Sequence, residues 1–159
     1  MTRAKGPSHK VYYRRRREGK TNYAKRLALV KSGKTRLVVR RSNSGLVVQF
    51  INFDPKGDRT LLTVNNKHLA KHNWPSKRNK WTAYLLGYLA GKLAAKKGIK
   101  EFVFDMGMYM PTKGSILFAA MKGAADSGLK TDFNEEKIPN LEVPDQYKKA
   151  FEEVKSKLG

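Results

Sequence analysis

The chain has 159 residues, 40% of them hydrophobic, and a formal net charge of +21 with an isoelectric point near 10.3. This length predicts one domain of ordinary size with tails, and the charge exceeds the level at which a polyanionic partner becomes the default expectation. Because cysteine is absent, disulfides and thiolate metal sites are excluded.

Positive charge is concentrated in the first 45 residues, where fifteen Lys or Arg face a single acid, Glu18. Residues 1–20 lack apolar periodicity and predict an extended arm, with Tyr12 and Tyr13 beside the run Arg14–Arg17. Since burying unpaired charge is prohibitively expensive, these side chains must meet an anionic partner. Nucleic acid is favoured because neutralising many phosphates releases counterions. The alternatives are a disordered tail, a localisation signal, and a membrane-surface or calmodulin-target segment.

Neither a secretory signal nor a membrane span is predicted. The first residues carry charges without an apolar core segment. The longest apolar stretch, Trp81–Ala95, contains Lys92 and is too short to cross a bilayer. A soluble, cytoplasmic protein without a membrane partner is expected.

Residues 21–64 predict one helix followed by three hairpin-linked strands. Thr21 is expected to cap a helix that runs to Lys31 and stops at Ser32-Gly33. Alternating apolar and polar residues then predict strands at 35–41, 46–53 and 60–64, separated by turns at 42–45 and 54–58.

Residues 65–131 add two helices and a fourth strand. A polar, irregular segment over 65–79 precedes a long helix, capped by Ser76 or Asn79 and ending near Lys97. Within this helix Gly87 and Gly91 predict close packing of helix on sheet. A continuous apolar run predicts a strand at 101–105 that is buried on both faces, and a last helix spans about 115–127.

This element order predicts an α/β fold with a small mixed sheet. A right-handed crossover places the fourth strand parallel to the first, next to a three-stranded antiparallel meander, in the order 3-2-1-4. Helices are expected mainly on one face, and the other face is expected to be open.

The last 28 residues predict a mildly acidic tail that ends in a short helix. Beyond Pro144, apolar residues recur at helical spacing and form one stripe: Tyr147, Phe151, Val154 and Leu158. Either this domain's own surface or a neighbouring protein would cover it. The predicted organisation is a basic RNA-binding arm (1–20), an α/β RNA-binding domain (21–131) and the tail (132–159).

Four acids raise the alternative of a metal-dependent nuclease, because the strand order resembles that of ribonuclease H-like enzymes. A two-metal site needs several converging carboxylates. Asp54 and Asp58 flank a turn and Asp126 lies near a helix end, so only Asp105 is well placed. No catalytic residue and no metal ligand is predicted.

Two further patterns are weak. His68 and His72 have the spacing of zinc-binding histidines but no third ligand, which favours a solvated basic loop or helical turn. The segment GMYMPTKGS lacks the P-loop order. Lys113, with the N–H groups of Gly114 and Ser115, is still expected to hold one backbone phosphate.

The first strand and its turn form a basic face. Arginines on an open sheet face cannot belong to the core and have few acids to pair with, so a solvated face is the alternative to a binding surface. Arginine planes stack on bases and bind phosphate in bidentate fashion, and Asn and Ser contact base edges or ribose hydroxyls. The residues of this basic face are Arg36, Arg40, Arg41, Ser42 and Asn43.

Two segments resemble a known family. The run RRRREGKTNYAKRLALVKSGKTRLVVRRSN, Arg14 to Asn43, is similar to the start of the 5S-rRNA-binding proteins of the large ribosomal subunit (the universal L-eighteen family). The run FDMGMYMPTKGSILFAAMKGAADSGL, Phe104 to Leu129, resembles that family's last strand, loop and helix. The PTKGS loop, the tail and the length are similar to archaeal members.

The resemblance implies a non-catalytic protein of the cytoplasmic large ribosomal subunit. It would attach 5S rRNA to the large-subunit rRNA in the central protuberance, beside neighbouring large-subunit proteins, without cofactor or small-molecule substrate. Its fold would be a small mixed sheet with two main helices. A chromatin-type DNA-binding protein is the other binding alternative, but aromatic residues interleaved with arginine favour irregular RNA.

The resemblance assigns the principal 5S rRNA contacts to Arg14–Arg26 and to Arg36–Asn43. Together with the remaining basic residues of the arm and the PTKGS loop, the expected RNA contacts are Arg3, Lys5, Lys10, Tyr12, Tyr13, Arg14, Arg15, Arg16, Arg17, Lys20, Thr21, Tyr23, Lys25, Arg26, Arg36, Arg40, Arg41, Ser42, Asn43, Lys113 and Ser115.

Overall fold

The computed structural model describes residues 6–8, 10–75 and 78–158. No helix among them is long and apolar enough to cross a bilayer. The elements are α1 (Arg14–Arg17), α2 (Tyr23–Lys31), β1 (Arg36–Arg41), β2 (Leu46–Asn52), β3 (Arg59–Asn65), α3 (Asn66–Ala70), α4 (Lys80–Lys96), β4 (Val103–Asp105), α5 (Ile116–Asp126) and α6 (Asp145–Leu158), with a 3₁₀ turn at Glu135–Lys137.

The predicted sheet is confirmed. Its order is β3-β2-β1-β4, with β1, β2 and β3 antiparallel and β4 parallel to β1. Leu37 of β1 lies opposite Phe50 and Phe104 in the neighbouring strands. β4 is shorter than predicted, because Glu101 makes only an isolated bridge to Lys130.

The main core lies between one face of the sheet and two helices, with α4 against β2 and β3 and α5 against β1. The small residues predicted to bring α4 close to the sheet instead bring it close to α5. A Cβ at Gly87 would collide with the Ala120 carbonyl, and one at Gly123 with the Tyr84 carbonyl. The prediction that Gly87 and Gly91 pack α4 closely on the sheet was therefore wrong. The two helices share one face of the sheet, and the glycines lie between α4 and α5.

Local capping departs from the sequence prediction at two helices. Asn22 rather than Thr21 caps α2, its side-chain oxygen accepting the Lys25 N–H at 3.1 Å. The segment predicted to be irregular contains α3, capped by Asn65. The long helix is capped as expected by Asn79, which accepts the Thr82 N–H at 2.8 Å, while the other candidate, Ser76, lies outside the described residues.

The C-terminal helix packs on the chain's own domain. α6 lies against α4, with Val154 and Leu158 buried. The Phe151 ring lies 6.0 Å from the Trp74 ring and 5.7 Å from the Tyr84 ring. Of the two expected partners for the apolar stripe, the domain surface is the one observed.

We therefore expect Phe151→Ala to lower the free energy of unfolding by about 2 kcal/mol, below the cost for a fully buried Phe because this ring is only half-buried. Urea unfolding measures the change. Glu152→Ala, exposed on the same helix, is the matched control and should stay within about 0.5 kcal/mol of the parent. Equal stability of both variants would contradict docking of α6.

Candidate nucleic-acid interface

The basic arm contains one helical turn where the sequence predicts an extended chain. Arg14–Arg17 form α1, and its residues are exposed. The Arg16 guanidinium stacks over the Tyr12 ring at 4.1 Å. Tyr12 and Tyr13 are 58% and 75% exposed. Exposed tyrosines among arginines offer planar surfaces on which unpaired bases can stack.

The acid of the arm organises the connection from α1 to α2. Glu18 pairs with Lys20 at 2.9 Å and with Arg14 at 3.4 Å. The hydrogen bond from Lys20 lowers the pKa of the Glu18 carboxyl. The Arg15 Nε–H also donates to the Thr21 hydroxyl at 2.8 Å. These contacts hold α1 near the start of α2.

α2 lies on the sheet face opposite α4 and α5. Arg36 and Val38 alternate along β1 with the core residues Leu37 and Val39, and they are buried on this second face. Arg26 of α2 pairs with Asp58 at 2.9 Å. The face predicted to be open is therefore partly covered by α2.

Arg36 departs from the expectation that the basic strand face has few acids to pair with. Its side chain is only 5% exposed and pairs with Asp58 at 2.6 Å and Asp105 at 3.1 Å. Two carboxylates offset the desolvation of a guanidinium that alone would be too costly to bury. For Arg36 that expectation is wrong, and its side chain joins β1, β4 and the β2–β3 turn.

Arg40 stays accessible while it is held in place. Its guanidinium donates to the Asp105 carbonyl at 3.0 Å and lies 3.4 Å from the Asp105 carboxylate, yet the side chain is 42% exposed. Gly107, at φ +64°, leaves room for it, since a Cβ there would come 2.9 Å from the guanidinium carbon. The Gly107 N–H donates to the Asp105 carboxylate at 2.8 Å, so this acid also supports the loop that follows β4.

The β1–β2 turn presents polar groups beside the next loop. Arg41 stacks over the Tyr109 ring at 4.7 Å, and the Tyr109 hydroxyl donates to the Arg41 carbonyl at 3.2 Å. Ser42 and Asn43 are exposed. Arg78, which sequence reasoning missed, donates to the Ser42 carbonyl at 3.1 Å. Its place in an irregular basic segment gave no sign of this contact.

The predicted phosphate cradle at the start of α5 is not formed. The Gly114 N–H donates to the Lys137 carbonyl at 3.1 Å, and the Ser115 N–H donates to the Thr112 carbonyl at 3.3 Å. The Ser115 hydroxyl oxygen is buried without a partner among the described residues. Of the three residues predicted to hold a phosphate here, only Lys113 is exposed. The expectation of free N–H groups was therefore wrong, because loop carbonyls occupy them.

Of the acids and histidines weighed as metal ligands, Asp58 and Asp105 come together at Arg36, and the others have separate local partners. Asp54 accepts the Lys56 N–H in its turn, and Asp126 accepts the Tyr84 hydroxyl. His68 Nδ1 accepts the Asn65 N–H at the start of α3. Across the described part of the chain, no group of three or more His, Cys, Asp or Glu is placed to hold a metal ion.

Many of the predicted contact residues meet at one cleft, called here the α2 cleft. It lies between α2, the second sheet face and the β4–α5 loop, with a volume of about 560 Å³. Among the residues proposed from the sequence, those that line it are Arg15, Lys20, Thr21, Lys25, Arg26, Arg36 and Arg40. Lys10 is exposed on the arm, Tyr23 packs 5.3 Å from Tyr13, and Arg3 and Lys5 lie outside the described residues.

Known proteins are similar to this chain over most of its length. The family model of ribosomal large subunit proteins 60S L5 and 50S L18 matches residues 8–104. The large ribosomal subunit protein uL18 of Korarchaeum cryptofilum is 47% identical over 138 residues, which is 86% of this chain and 71% of the relative. The uL18 proteins of Metallosphaera sedula (46%, covering 86% and 71%) and Aeropyrum pernix (48%, covering 87% and 65%) are similar. The chain therefore belongs to this family of structural proteins of the large ribosomal subunit, as an archaeal-type member.

Proposed function

We propose that the chain binds 5S rRNA and attaches it to the large-subunit rRNA in the central protuberance, beside neighbouring ribosomal proteins. The observation that carries the proposal is a cationic cleft lined by Arg15 of α1, by basic residues of α2, and by Arg36 and Arg40 of β1. Arginine at such density gives affinity through phosphates, and exposed tyrosines favour unpaired bases over a regular duplex.

A role without catalysis agrees with the surroundings of Asp105. This carboxylate would have to bind metal in the nuclease alternative. It is instead engaged by Arg36, Arg40 and the Gly107 N–H. A carboxylate held by two guanidinium groups is a poor ligand for a divalent cation, because the positive charges repel the ion.

The test is the identity of the RNA that the protein retains from total cellular RNA at physiological salt. Enrichment of 5S rRNA over tRNA of similar abundance is the expected result. Retention of all RNAs in proportion to their length would contradict the proposal, and preferential retention of DNA would favour the chromatin-type alternative.

The turn and the arm should contribute differently to this enrichment. We expect Asn43→Ala and Arg40→Ala to reduce the preference for 5S rRNA over random RNA, by roughly tenfold for a lost bidentate base contact. Lys10→Ala in the arm is the control and should weaken both RNAs equally, because flexible phosphate contacts carry no sequence information. Competition binding with the two RNAs measures the ratio. A uniform loss of affinity in the turn variants would refute this division.

A further inference from the structure

The α2 cleft has an apolar interior that phosphate contacts alone do not require. Its volume of about 560 Å³ lies within the range of small-molecule sites in proteins. Leu29 from α2, Val38 from β1 and Ile51 from β2 line it between the two layers. An RNA duplex is too wide to enter such a space, whereas a single nucleotide fits.

The rim of the same cleft is cationic. Arg15, Lys25, Arg26 and Arg40 line it. The two acids that also line it are already compensated, since Asp58 pairs with Arg26 and Arg36 and Asp105 pairs with Arg36 and Arg40. The cleft therefore combines an apolar interior with a net positive edge, which is the complement of a nucleotide with its flat base and anionic phosphate.

One wall supplies an aromatic ring in a fixed orientation. Tyr109 lines the cleft, while Arg41, which stacks on the ring, does not. The Tyr109 hydroxyl is anchored to the Arg41 carbonyl. A ring supported by a guanidinium and held at its hydroxyl is a prepared stacking surface for a base.

From these features we propose that the α2 cleft receives an unstacked nucleotide of the bound RNA. The base enters the apolar interior beside Tyr109, and its phosphate stays at the rim with Arg26 and Arg40. This proposal rests on the proposed RNA-binding function and adds a defined single-strand subsite to it.

The test uses the full chain and two labelled probes of equal charge. One is hexauridylate, and the other is a hexamer of the same backbone without bases. Fluorescence anisotropy at physiological salt should show at least tenfold tighter binding of hexauridylate. Equal affinity for the two probes would overturn the subsite, because phosphate contacts alone would then account for binding.

Two leucines of α2 provide a matched pair of variants. Leu29 lines the cleft, and Leu27 is 55% exposed outside it. Leu29→Trp fills the space without changing charge and should abolish the preference for hexauridylate, whereas Leu27→Trp should retain it. Retention of the full preference in a folded Leu29→Trp variant would refute the proposal. If that variant does not unfold cooperatively, Ala28→Trp, also in the cleft lining, is compared with Ala24→Trp outside it.

Parallel titrations with 5S rRNA separate this proposal from the one it rests on. If the parent chain shows no preference for 5S rRNA, the proposed function fails. If that preference is present but hexauridylate and the base-free hexamer bind alike, only the subsite fails.

Discussion

Replacement of Arg14–Arg17 by glutamine should lower RNA affinity by about a hundredfold to a thousandfold at physiological salt. Each phosphate contact contributes about 0.7–0.9 to the slope of log affinity against log salt, so four lost contacts should reduce that slope by about 3. The fold should be unaffected, because α1 buries none of its described residues. Salt titration of RNA binding and thermal unfolding measure the two effects.

The control removes the same charge from another surface. Lys148, Lys149, Lys155 and Lys157 lie on α6, in the acidic tail. Their replacement by glutamine also lowers the net charge by four, yet should leave the slope nearly unchanged. Equal losses of affinity in the two variants would mean that net charge, rather than the position of the arginines, determines binding.

Asp105→Ala should cause the second large effect, a loss of stability of about 3–5 kcal/mol. The substitution leaves the buried Arg36 with only Asp58 and removes the acceptor of the Gly107 N–H. For a chain of this length the corresponding fall in melting temperature is on the order of 10 °C. Asp54→Ala, in an exposed turn, is the control and should cost less than about 1 kcal/mol. Similar melting temperatures for the two variants would contradict a structural role for the Arg36 network.

The sheet topology could be predicted because its signals are local. Turn residues at 42–45 and 54–58 separate short alternating strands. The helix between the third and fourth strands predicts a right-handed crossover, which places the fourth strand parallel to the first. The tail stripe was visible for the same reason, since Phe151, Val154 and Leu158 repeat at helical spacing. What covers such a stripe depends on the remote residues Trp74 and Tyr84.

The parts that could not be predicted depend on partners distant in sequence. In the sequence, Arg36 resembles a surface residue. It is buried because the fold places Asp58 and Asp105 beside it, and these acids lie 22 and 69 positions away along the chain. The Gly114 N–H likewise meets the Lys137 carbonyl, which no local pattern indicates. α3 was missed because its capping box uses His68 in place of the usual Glu or Gln.

The candidate interface likewise has one part that the sequence indicates and another that it does not. The density of arginine in the arm indicated a polyanionic partner from composition alone. The apolar interior of the α2 cleft was not visible, because Val38 and Ile51 lie in different strands and Leu29 lies on a helix whose place over the sheet the sequence does not specify.

The most direct test of the account is a comparison of affinity for 5S rRNA and for a scrambled RNA of equal length, titrated from low to physiological salt. If about 8 phosphates are neutralised, log affinity should fall against log salt with a slope on the order of −6 to −7 for both RNAs. At physiological salt 5S rRNA should bind at least about a hundredfold more tightly than the scrambled RNA, since specific sites commonly exceed non-specific ones by that margin or more. Equal affinity for the two RNAs, or a slope near zero, would contradict specific binding of 5S rRNA through phosphate contacts.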